Sequence, residues 1–125
     1  MAKLSYSEKE AIESLLDMQG GYVSDFTNRQ FADFMFSTYK IQIYADKYAV
    51  YGTSKANRLR AFWDLEPDLT VGKILKELIQ REVRIKEKYR VSDYNLACET
   101  VNRLLNIQKT SPLKENVLKQ MRNYF

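Results

Sequence analysis

Histidine is absent from this 125-residue sequence, and cysteine occurs once. Without an imidazole there is no Ser-His-Asp or Cys-His catalysis, no His-ligated zinc and no histidine general base. A lone thiol, Cys98, closes no intramolecular disulfide and builds no structural zinc site, so it reads as a small buried hydrophobe. Four glycines and two prolines are too few for the tight turns of a strand-rich fold, which favours helix. No apolar run approaches the ~20 residues of a membrane span. The first residues run directly into charged, helix-forming sequence without a signal-peptide pattern. A soluble, cytoplasmic domain without a cofactor and without a membrane partner is the expectation.

What is present is ordinary for a globular domain: 45% hydrophobic and 29% charged residues, in a length that suits a single domain over 1–125. The formal charge of +4 is unevenly placed. Residues 1–46 carry four basic and seven acidic side chains, a net of −3, and residues 47–125 carry 16 basic and nine acidic ones, a net of +7. An anionic partner would therefore meet the second part of the chain. A solvated helical surface with the same bias is the plainer alternative.

Helical periodicity dominates. A first helix is expected from Ser7 to about Gln19, with capping-box spacing in both Ser5-Tyr6-Ser7-Glu8 and Ser7-Glu8-Lys9-Glu10 and a stop at Gly20-Gly21. A second opens on the capping box Thr27-Asn28-Arg29-Gln30 and buries Phe31, Phe34 and Met35. Ile41-Gln42-Ile43-Tyr44 alternates like a short extended element. A third helix starts at Thr53-Ser54 with the stripe Leu59, Phe62, Trp63, and ends at Glu66-Pro67. A fourth, from Thr70 to about Tyr89, places Val71, Ile74, Leu75, Leu78 and Ile79 on one face. Its charged face, with pairs such as Glu77/Arg81 and Glu82/Lys86, reads as solvated. A fifth helix spans Ser92 to about Asn106. A sixth, after Thr110-Ser111-Pro112, carries Leu113, Val117 and Met121 and makes residues 90–125 a helical extension. The fold class is mainly α, five or six helices with a short extended element at residues 41–44.

The least balanced basic run is residues 46–60. Lys47, Lys55, Arg58 and Arg60 are opposed only by Asp46, with Tyr44, Tyr48 and Tyr51 interleaved. Gly52-Thr53-Ser54 leads into a helix start, where free N–H groups and the dipole favour an anion. Thr53 and Ser54 can cap the helix or donate to a phosphate, Lys55 and Arg58 add charge from the first turns, and tyrosines beside cations can stack on unpaired bases. Arg58 lies off the apolar stripe and is expected at the surface. A purely structural cap with packed tyrosines accounts for the same residues. Gly52-Thr53-Ser54-Lys55 is not a P-loop, so nucleotide hydrolysis does not follow. Asp64, Glu66 and Asp68 cluster at a helix end without a partner base, so catalysis by this chain is not expected.

Three blocks also resemble a known family: Asp25-Phe26-Thr27-Asn28-Arg29-Gln30-Phe31-Ala32-Asp33-Phe34, Ile43-Tyr44-Ala45-Asp46-Lys47-Tyr48, and Gly52-Thr53-Ser54-Lys55-Ala56-Asn57-Arg58-Leu59-Arg60-Ala61-Phe62-Trp63. They are similar to the N-terminal domain of AbiJ-like abortive-infection proteins of bacteria, over about the first 80 residues. The resemblance implies a helical, non-catalytic sensor module of a phage-defence protein, working with a HEPN-type ribonuclease effector, fused or separate, whose Arg…His motif this sequence does not contain. The leading expectation is a module that binds nucleic-acid phosphates, RNA favoured, through Lys47, Tyr48, Tyr51, Thr53, Ser54, Lys55, Arg58 and Arg60. The alternatives are a protein-interaction module that restrains an effector through a strip around Val117, Met121 and Phe125, and a small-nucleotide sensor using the same site.

Overall fold

The computed structural model describes residues 2–106. They form five α-helices: α1 (Tyr6–Leu15), α2 (Asn28–Tyr39), α3 (Lys55–Leu65), α4 (Asp68–Ile85) and α5 (Val91–Leu104). Short 3₁₀ turns, Gln19–Gly21 and Asp46–Tyr48, lie before α2 and α3. The mainly α expectation holds. The expected sixth helix, with Val117, Met121 and Phe125, lies outside the described residues.

The local signals set the helix starts. In α1 the Glu8 N–H donates to Ser5 Oγ at 3.1 Å and the Ser5 N–H donates back to Glu8 Oε1 at 2.8 Å. Of the two overlapping capping boxes, the first is therefore the one used. Thr27 and Gln30 make the same reciprocal pair at the start of α2, at 3.1 and 2.9 Å. Each box satisfies two backbone donors that a bare helix end leaves open.

Helix α5 packs against both α1 and α4, and α2 lies against α4. The α4–α5 crossing is close at Gly72: a Cβ there would lie 2.9 Å from Leu104 Cβ and 3.0 Å from Leu105 Cδ2. Helix α3 sits deep in the molecule. Ala56, Arg58, Leu59, Ala61, Phe62 and Trp63 are all buried, so its buried surface is wider than the stripe legible in sequence.

Two expectations are corrected. Residues 41–44 are not extended strand; they form a turn, with the Ala45 N–H donating to Gln42 O at 3.0 Å. The alternation is real in that Ile43 is buried at 1% exposure while Gln42 is exposed. However, no strand lies among the described residues to pair with it, and the guanidinium of Arg58 holds its carbonyls instead, donating to Ile43 O and Ala45 O, each at 3.2 Å. The charged face of α4 is also not simply solvated. Glu82 is 1% exposed, Lys86 reaches Asp17 and Glu82, and the Arg81 guanidinium lies 4.0 Å from the Phe26 ring centroid while donating to Asp25.

Candidate functional site

The 46–60 block folds inward more than its composition suggests. Arg58 is 8% exposed, against the expectation of a surface side chain. Besides the carbonyls of Ile43 and Ala45, it donates through Nε to Thr53 O at 3.3 Å, and its guanidinium lies 4.8 Å from the Tyr44 ring centroid. Its hydrogen bonds all serve the chain's own backbone. Tyr48, expected to stack on a base, is 2% exposed. Its hydroxyl donates to Glu66 Oε2 at 2.6 Å, and burial together with that carboxylate pushes its pKa well above the ordinary tyrosine value. Lys47 pairs with the same carboxylate at 3.4 Å. Arg60 is bidentate to Glu13, at 3.2 and 2.9 Å, and also donates to Asn57 Oδ1 at 2.8 Å. Tyr51 remains exposed, but its hydroxyl donates to Asp64 Oδ2 at 2.5 Å, and that carboxylate raises its pKa.

Ser54 is the cap of α3, its Oγ accepting from the Asn57 N–H at 3.1 Å. The chain reaches this cap through Gly52 at φ +132°, a conformation that suits glycine, and a Cβ there would lie 2.8 Å from Asn57 Nδ2. Thr53 is exposed beside the cap.

Lys47 stays exposed beside Glu66, whereas Lys55 is half-buried and turns to α2. Its Nζ donates to Asn28 Oδ1 at 3.4 Å and lies 5.4 Å from the ring centroid of Tyr22, which is 59% exposed. Asn28 is the first residue of α2 and Lys55 the first of α3, so this side-chain contact links the first turns of the two helices. The same Asn28 Oδ1 accepts from Tyr44 OH at 2.9 Å. The contact brings a lysine and an exposed aromatic ring to the first turns of two capped helices, a setting in which positive charge favours an anion. Ser54, Thr53 and Lys55 come together at this junction; Lys47, Tyr48 and Arg60 are turned to Glu66 and Glu13. Tyr22 and Asn28 are additions that the block did not announce: 27 residues separate Asn28 from Lys55, and only the fold brings them together.

Two concavities flank this region. A polar cleft of about 690 Å³ lies between the end of α1 and the start of α3, walled by Glu13, Asp17, Gly21, Asn57 and Arg60. A more apolar groove of about 380 Å³ lies between α2 and the 41–45 turn, walled by Ala32, Phe36, Ile41, Ile43 and Tyr44. Among the described residues no group of three or more His, Cys, Asp or Glu side chains is placed to hold a metal ion, and no helix is long and apolar enough to cross a membrane.

In comparison with known proteins, the chain matches no family model, no curated protein and no solved structure.

Proposed function

We propose that this domain is a non-catalytic recognition module that binds nucleic-acid phosphates, RNA in preference, through the junction of α2 and α3. In keeping with the AbiJ-like blocks, it acts as the cytoplasmic sensor of an abortive-infection system whose catalysis belongs to a fused or separate HEPN-type effector. The observation that carries the reading is the placement of Lys55, the first residue of α3, against Asn28, the first residue of α2, and the exposed ring of Tyr22. Phosphate oxygens are met there by cation and backbone dipole, and a neighbouring base by the ring. Arg58, Tyr48 and Arg60 support that junction from within, through the 41–45 turn, Glu66 and Glu13.

The test is fluorescence anisotropy with a short single-stranded RNA across a salt series. Lys55→Ala is expected to weaken binding and to lower the slope of log K against log salt by about 1, the signature of one lost phosphate contact. Unchanged affinity and slope in K55A, with the fold intact, would refute the assignment.

A further inference from the structure

Aromatic rings in this protein are repeatedly paired with cations. Six rings carry a lysine or arginine cation within 5.5 Å of the centroid among the described residues. Two of these pairs stand at the apolar groove between α2 and the 41–45 turn. Tyr44 lines the groove with its ring 4.8 Å from the Arg58 guanidinium and its hydroxyl fixed on Asn28 beside Lys55. Phe36, 44% exposed, lines it with Lys40 Nζ 5.0 Å from its centroid. Ala32 of α2 is the small residue of the lining.

We propose that this groove receives an unpaired base of a single-stranded nucleic acid. The proposal rests on the phosphate reading of the α2/α3 junction and deepens it: the junction holds the backbone, and the groove takes the base next to it. Three features favour this occupant. The lining combines two aromatic rings, Phe36 and Tyr44, with aliphatic and small residues, which suits a flat apolar ring. Tyr44 is already immobilised by Asn28 and Arg58, so little side-chain entropy is lost on stacking. A lysine stands near each aromatic residue, Lys40 over Phe36 and Lys55 on the Asn28 that also holds Tyr44, so a strand laid along the groove meets positive charge beside each ring. Asp33 on the rim is offset by Arg29, 3.9 Å away.

The experiment compares a uridine decamer with a decamer of the same charge whose riboses carry no bases, and with a thymidine decamer, by anisotropy at one salt concentration. Wild type is expected to bind the uridine decamer about tenfold more tightly than the abasic one, the effect of stacking a base. Phe36→Ala and Ala32→Trp are each expected to abolish that difference while leaving abasic binding unchanged, and Phe36→Trp to preserve it. The thymidine decamer binding as well as uridine would assign the groove to bases of either sugar; weaker binding would assign it to RNA. Equal binding of the uridine and abasic decamers by wild type would overturn the base groove and leave the phosphate junction standing. Binding of neither would overturn both and leave the groove to a peptide.

Discussion

Arg58 separates composition from function. On a helical wheel it lies off the Leu59, Phe62 and Trp63 stripe and reads as solvent-facing; in the structure α3 is buried on most sides, and the guanidinium serves three backbone carbonyls. Arginine suits this task because its planar fork reaches several acceptors at once while remaining charged. Truncating it takes a donor from each of them, and among the described residues only Ala45 O keeps a backbone partner, the Tyr48 N–H at 3.1 Å. Arg58→Ala is therefore expected to cost about 3 kcal/mol of stability, read by urea denaturation. The neighbouring surface change Lys55→Ala should stay within about 0.5 kcal/mol while weakening binding. A stable R58A protein would mean that the 41–45 turn does not depend on the arginine. The contrast also dictates how binding is tested: a double Lys55/Arg58 variant would confound unfolding with lost contact.

Gly72 shows the same dependence on the third dimension in the packing of helices. Gly→Ala inside a helix ordinarily stabilises by up to about 1 kcal/mol. Here the added methyl would meet Leu104 Cβ at 2.9 Å, an atom fixed to its own backbone, so α5 must move away from α4. Gly72→Ala is expected to lower stability by about 1–2 kcal/mol, measured by thermal or urea unfolding, despite its better propensity. A more stable G72A would show that the crossing has slack. In the sequence Gly72 carries no sign of this role, because the residues it touches are 32 and 33 positions away. Local features were legible by contrast: the Ser5/Glu8 and Thr27/Gln30 boxes, the Ser54 cap and the 3.6-residue stripe of α4 are all written within a few residues. Ile41-Gln42-Ile43-Tyr44 misled because alternation reports which side chains turn inward, whereas a strand also needs a partner for its backbone. Of the proposed binding region, Thr53, Ser54 and Lys55 were legible; Tyr22, Asn28 and the Phe36/Tyr44 groove were not, since tertiary contact alone assembles them.

The division of charge along the chain acquires an internal meaning in the folded molecule. Glu8, Glu13, Asp17 and Asp25 of the acidic front pair with Arg103, Arg60, Lys86 and Arg81 of the basic back. With those pairs removed from the count, residues 1–46 are left at +1 and residues 47–125 at +3, so most of the apparent basic surplus is complementarity between the two parts. Two of these carboxylates, Glu8 and Asp25, are held in the ionised form by the fold. Burial opposes the Glu8 carboxylate, but the Ser5 N–H, the Arg103 guanidinium and the Thr100 hydroxyl outweigh it and hold its pKa below the ordinary value. The hydrogen bond and charge of Arg81 hold Asp25 below its own. Both groups bind a proton more weakly folded than unfolded. Their stabilisation is accordingly present in full above the ordinary carboxylate pKa, about 4–4.5, and is lost as pH falls through the lower folded values. Glu8→Gln should cost about 1–2 kcal/mol at pH 7, where the charge-assisted bonds to Arg103 and Ser5 are intact and partly exposed to solvent. Urea unfolding of wild type and E8Q at pH 7, 5 and 3 is expected to show one constant gap at the two higher values and a smaller one at pH 3. A gap that does not narrow on acidification would mean that Glu8 contributes through shape and neutral hydrogen bonding, and that the charge pairing between the two parts of the chain does not stabilise the fold through this carboxylate.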